Sequence, residues 1–90
     1  MIEIDSTPIR YFSQKDEDHF FTWAQEIRCV SSVDRGVLSV DDEHVSEDDL
    51  RELLALLTRY GLSIEQLRGL VSRANESWFN DPDAYWNSRN

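Results

Sequence analysis

One cysteine, Cys29, leaves no second thiol for an internal disulfide, so folding of this 90-residue chain rests on packing or on a partner subunit. Three glycines are too few for a glycine-rich phosphate loop, and the serines lack the glycine-flanked elbow of an activated nucleophile. Apolar residues nowhere run to the roughly 20 that a bilayer span needs. The start, Met1-Ile2-Glu3-Ile4-Asp5, lacks the basic and apolar blocks of an export signal. Together with one unpaired thiol, this points to a reducing, cytoplasmic location. Positive charge is also scarce: nine basic residues, of which only Lys15 is lysine, face eighteen acidic ones.

The acids are unevenly placed. Seven fall between Asp41 and Glu52 with Arg51 as the one cation among them, so about two thirds of the formal charge of -9 sits in twelve residues. Such a surface repels phosphate backbones and anionic lipid and attracts basic proteins. An apolar share of 40 % with ten aromatic rings is enough for a packed core and too much for a disordered acidic chain. Length allows one domain over residues 1–90.

The spacing predicts a loose leader over residues 1–8, then a strand at Ile9-Arg10-Tyr11-Phe12. Ser13 caps a helix with Asp16, Glu17 and Asp18 in its first turns, and Phe20, Trp23, Ala24 and Ile27 form its apolar stripe. Runs around Val30 and Leu38, joined through Asp34-Arg35-Gly36, predict a β-hairpin whose register stays open. A three-residue loop puts Val30, Leu38 and Val40 on one face; a two-residue loop puts Cys29 and Val33 there with Leu38 and Val40. Residues 9–45 thus hold a strand, a helix and a hairpin.

Residues 46–79 read as a helical hairpin. Ser46 and Asp49 form a Ser-x-x-acid capping pattern before Leu50, Leu53, Leu54 and Leu57, and Gly61 supplies a left-handed stop. Ser63 and Gln66 repeat the pattern, with Ile64, Leu67, Val71, Ala74 and Trp78 as a second seam and Gly69 predicting a short, kinked or closely packed helix. In residues 80–90, Asp81-Pro82 opens a last turn or tail carrying Tyr85 and Trp86. The expected architecture is a two-layer α+β domain in the order β-α-β-β-α-α, with a three-stranded antiparallel sheet against helices. Strand order is open.

Several motifs compete for a function. The join Leu57-x-x-x-Gly61-Leu62-Ser63 has helix-turn-helix spacing and would place Gln66, Arg68, Arg73 and Asn75 near DNA. The shortage of cations makes nucleic acid a poor partner. The acids around His44 lack the alternating spacing and central glycine of a calcium loop, so solvated charge that caps a helix is the preferred reading. No metal or cofactor is expected. Cys29 reads as a buried thiol, and the clustered carboxylates lie in polar surroundings that do little to raise a pKa, which argues against an enzyme. The rings of Trp78, Phe79, Tyr85 and Trp86 either close the core or form an exposed patch of the residue types that dominate interfaces.

The strings Arg10-Tyr11-Phe12-Ser13, Phe20-Phe21-x-Trp23, Asp49-Leu50-Arg51-Glu52-Leu53-Leu54-Ala55-Leu56, Arg59-Tyr60-Gly61 and Trp78-Phe79-x-Asp81-Pro82-x-x-Tyr85-Trp86 resemble a group of short proteobacterial proteins. That resemblance implies a complete bacterial protein and carries no activity. The leading expectation is a protein-binding module for a basic partner, in its most concrete form an immunity protein or inhibitor masking a cationic active site. Asp41, Asp42, Glu43, Asp48, Asp49 and Glu52 would steer association, and Trp78, Tyr85 and Trp86 would anchor it. A dimeric helix-turn-helix regulator and a small structural subunit of a complex are the alternatives, and a homo-oligomer is compatible with each.

Overall fold

The structure, a computed structural model, describes residues 1–87. It is a slab 38 × 33 × 17 Å, the thickness of one sheet with one layer of helices. In chain order the elements are β1 (Ile2–Asp5), α1 (Gln14–Glu26), β2 (Val30–Asp34), β3 (Val37–Val40), α2 (Glu47–Arg59), a 3₁₀ helix (Ile64–Leu70) and α3 (Glu76–Phe79). The sheet is antiparallel with order β1-β3-β2, the α+β architecture expected.

The first strand lies earlier than its composition suggests. Ile2 and Ile4 pair with Val40 and Leu38, and Ile4 is fully buried, so residues 1–8 contain β1 and are no loose leader. Asp5 ends the strand: its Oδ1 accepts from the Thr7 backbone N–H at 2.9 Å and from the Thr7 hydroxyl at 2.7 Å, an Asx turn just ahead of Pro8. Ile9-Arg10-Tyr11-Phe12 then forms a connection and no strand. Ile9 and Tyr11 pack partly against the core, whereas Phe12 stands 95 % exposed.

α1 is capped as expected, Ser13 Oγ accepting from Asp16 N at 3.2 Å, and it buries Phe20 and Ala24. In the hairpin Arg35 (φ 53) and Gly36 (φ 81) form a two-residue loop, the primed turn that matches strand twist. Val33 therefore faces Leu38. A bulge at Ser31 then sets Val30 opposite Val40, which brings both Val30 and Cys29 into the core.

α2 carries the full capping box: Asp49 N donates to Ser46 Oγ at 3.1 Å and Ser46 N to Asp49 Oδ2 at 3.3 Å. Leu50, Leu53, Leu54, Leu56 and Leu57 are all completely buried. The helix stops in a Schellman motif at Gly61 (φ 74), with Leu62 N bonded to Leu57 O at 2.8 Å and Gly61 N to Thr58 O at 3.3 Å.

The second half of the expected helical hairpin is broken into two pieces. Gln66 does not complete a capping box, because its side-chain amide accepts from Asp5 N at 2.7 Å and donates to Asp5 O at 3.2 Å. It pairs with the outer edge of β1 as a neighbouring strand would. The segment wraps as a 3₁₀ helix against β1, where a Cβ on Gly69 would lie in ordinary van der Waals contact with Ile2 Cγ2 at 3.6 Å, so the packing there does not depend on glycine. Val71 turns extended (ψ 132) and Asn75 Oδ1 accepts from Ser72 N at 2.8 Å, so Ala74 leaves the seam and Trp78 belongs to the separate α3.

Beyond α3 the chain makes hydrogen-bonded turns, Ala84 N to Asp81 O and Asn87 N to Ala84 O, without a helix. Residues 88–90 of the expected aromatic turn or tail lie outside the described residues.

Candidate functional site

α1 and α2 lie antiparallel, joined at two levels. Tyr60 Oη donates to Asp16 O at 3.3 Å at one end, and Trp23 Nε1 donates to Glu52 Oε1 at 3.0 Å farther along. The outward flank of α2, carrying Arg51, Glu52, Ala55, Thr58 and Arg59, is left between two aromatic borders. Trp23 from α1 forms one.

The C-terminal rings form the other. Arg51 lies with Cζ 4.1 Å from the Trp78 ring centroid while its Nε bonds Glu47 Oε2 at 2.9 Å. Trp86 stands edge-on to Trp78, with centroids 6.0 Å apart, and Tyr85 edge-on to Trp86 at 4.9 Å. Trp86 Nε1 donates to Phe79 O at 2.8 Å, and Asn87 Nδ2 reaches the same oxygen at 2.8 Å. Trp78 and Trp86 thus pack against the core, whereas Tyr85 is 53 % exposed at the border. Burial against this cluster, with Glu52 nearby, raises the Tyr85 phenol despite the opposing Arg51. Trp78 Nε1 is buried with no hydrogen-bond partner among the described residues.

The acidic run is less free than its charge suggests. Asp49 is 8 % exposed and held in the capping box, and Glu52 accepts the Trp23 indole. Asp41 accepts from His44 Nδ1 at 2.9 Å and from Glu43 N at 3.1 Å, contacts that lower its pKa. Asp42 pairs with the Met1 ammonium at 2.7 Å, a hydrogen bond that lowers the carboxyl and raises the amine. Glu43 and Asp48 are the members whose carboxylates make no hydrogen bond or ion pair to another described residue. The expected six-acid face therefore divides into acids bound into the fold and a smaller free set.

Three of the four residues that a helix-turn-helix would place near DNA are engaged internally, Gln66 on Asp5, Arg68 on Glu65 and Asn80, and Asn75 on Ser72 and Leu70, whereas Arg73 is exposed. Among the described residues no group of three or more His, Cys, Asp or Glu side chains is placed to hold a metal ion. Cys29 is buried and unpaired, and burial, followed by the nearby Asp49 charge, pushes its thiol up to about 11. No described helix is long and apolar enough to cross a membrane.

Trp23 is the site residue that periodicity concealed, because it lies on the apolar stripe of α1. Three surface depressions meet at its indole, of about 760, 500 and 380 Å³. Its N–H was the available signal, since an indole on a helix stripe needs an acceptor and therefore tends to sit at the border of a core. No family model, curated protein or solved structure matches the chain.

Proposed function

We propose that this protein is a small binding module that docks a basic partner protein on the outward flank of α2, between Trp23 and Tyr85. The observation that carries the reading is the exposed Tyr85 edge on a packed Trp78–Trp86 platform, with Arg51 laid over Trp78. Tyr, Trp and Arg held rigid by their neighbours are the side chains that contribute most to interfaces, because little rotamer freedom remains to be lost on docking. The formal charge of -9 supplies long-range attraction for a cationic partner, with Glu43 and Asp48 as the free acids of the run.

The most concrete form of this reading is an inhibitor or immunity protein acting in the cytoplasm, which masks a cationic active site and performs no bond-making of its own. Affinity capture from the source organism at low and moderate salt tests it, with wild type beside an Asp48→Asn/Glu43→Gln variant and a Tyr85→Ala variant. A stoichiometric basic partner, weakened by salt and by each variant, is the expected result. Capture that is indifferent to all three changes overturns the reading.

A further inference from the structure

The Trp23 indole separates the groove between α1 and α2 from a depression of about 380 Å³ on the outward flank of α2, lined by Trp23, Ala55, Thr58, Arg59 and Tyr85. Residues three and four apart share a helix face, and the outward row Arg51, Ala55, Thr58 carries small side chains at its second and third places. Arg51 is drawn aside over Trp78, with its Nε held on Glu47 Oε2. Ala55 and Thr58 therefore form the floor. The walls are two rings, the half-buried Trp23 pinned to Glu52 and the exposed Tyr85 set edge-on against Trp86. Both are ordered by contacts within the chain, so little rotamer freedom is lost when a side chain enters between them.

Arg59 is the one charged residue that lines the depression. Aromatic walls alone would accept a guanidinium. Here an entering cation would meet Arg59, with Arg51 one turn before Ala55 on the same helix. An anion is opposed as well, because Glu52 is bonded to the Trp23 wall and lies within electrostatic reach of Tyr85, and the whole chain carries a formal charge of -9. A neutral apolar side chain meets neither repulsion and gains from the removal of its surface from water.

We infer, on the docking function proposed above, that this depression receives one uncharged apolar side chain of the basic partner, held between Trp23 and Tyr85 and seated on Ala55 and Thr58. The partner's cations act at longer range on Glu43 and Asp48, and the contact that holds the complex together is apolar. Ala55 and Thr58 thereby determine specificity, since a longer side chain at either position occupies the space itself.

The N-acetyl amides of leucine, arginine and glutamate are the probes. Each is titrated into the full chain while the Trp23 indole N–H and the Ala55 methyl resonances are followed by NMR. The leucine amide is expected to shift both signals and to bind about tenfold tighter than either charged amide, the effect of burying one apolar side chain. Ala55→Leu, and Thr58→Leu at the exposed position, fill the depression and are expected to abolish the leucine-amide shift of the Trp23 indole, with native amide dispersion reporting the fold of each variant. Tighter binding of the arginine amide at the same signals overturns the inference and leaves docking of a basic partner at this flank standing. Leucine-amide shifts of the indole that persist in a folded filled variant, or no shift with any probe, overturn the inference as well, whereas the docking reading itself fails only if partner capture is indifferent to salt and to the acid and Tyr85 variants.

Discussion

Trp23 Nε1 and Glu52 Oε1, 3.0 Å apart, tie the middle of α1 to the flank of α2 and fix the floor of the groove. The bond leaves the indole face toward solvent and engages one of two carboxylate oxygens. Glu52→Gln keeps an acceptor and is expected to leave stability nearly unchanged. Glu52→Ala removes it and costs about 0.5–1.5 kcal/mol in urea denaturation, with an upfield shift of the Trp23 indole proton. Equal stability of all three proteins would show that the contact does not hold in solution.

Gln66 closes the edge of β1 by pairing with both backbone groups of Asp5. Gln66→Ala frees those groups, so a loss of about 1–2 kcal/mol is expected, together with concentration-dependent self-association through the exposed strand. Chemical denaturation and sedimentation velocity check the two effects. An unaltered monomer of wild-type stability would contradict the edge-closing role.

At the hairpin, Arg35 occupies left-handed backbone space (φ 53) that a long side chain tolerates poorly. Arg35→Asn should stabilise by about 0.5–1 kcal/mol. Gly36 is the opposite case: at φ 81 an added Cβ would come within 2.8 Å of Thr7 Cγ2, so Gly36→Ala destabilises by about 2 kcal/mol. Thermal unfolding of both variants measures the contrast, and a stabilising Gly36→Ala would refute the turn geometry.

Cys29 makes stability depend on alkaline pH. An unfolded thiol ionises near pH 8.5, whereas burial pushes the folded one up to about 11. Between these values the folded chain retains a proton that the unfolded chain has released, so stability is full below the window and falls as pH rises through it, by at most about 1.4 kcal/mol per pH unit. Cys29→Ala should flatten that part of the profile relative to wild type. Parallel profiles for the two proteins would place the thiol in water.

Local signals were sufficient wherever a segment satisfied its own backbone. Ser13 and Ser46 cap α1 and α2 with residues three positions on, and the leucines of α2 follow one stripe; the hairpin was legible around Asp34-Arg35-Gly36, but its two-residue loop was not, since local residue types fit either register. Long-range partners decided the remainder. β1 is a strand because Ile4 meets Leu38 and Gln66 covers its edge, and neither partner is visible in Met1–Asp5, whereas the β-branched and aromatic Ile9–Phe12 follows an Asx turn and a proline that lacks an N–H. The same Gln66 contact holds the 3₁₀ helix Ile64–Leu70 against β1, and Val71 turns extended between it and Trp78.

Charge in the acidic run was countable from residue types, but its availability was not. Asp49 and Glu52 have partners that depend on three-dimensional neighbours, and Asp42 meets the Met1 ammonium across the fold. Trp23 looked like core for the same reason: helical period marks the side of the helix, and only the position of α2 shows that the indole lies at its border.

The central claim, docking between Trp23 and Tyr85, is tested most directly by oxidative footprinting of the protein alone and bound to the captured basic partner. Loss of reactivity at Tyr85 and Trp23 on binding is the predicted result. Unchanged reactivity at both rings, with protection appearing elsewhere on the surface, would contradict it.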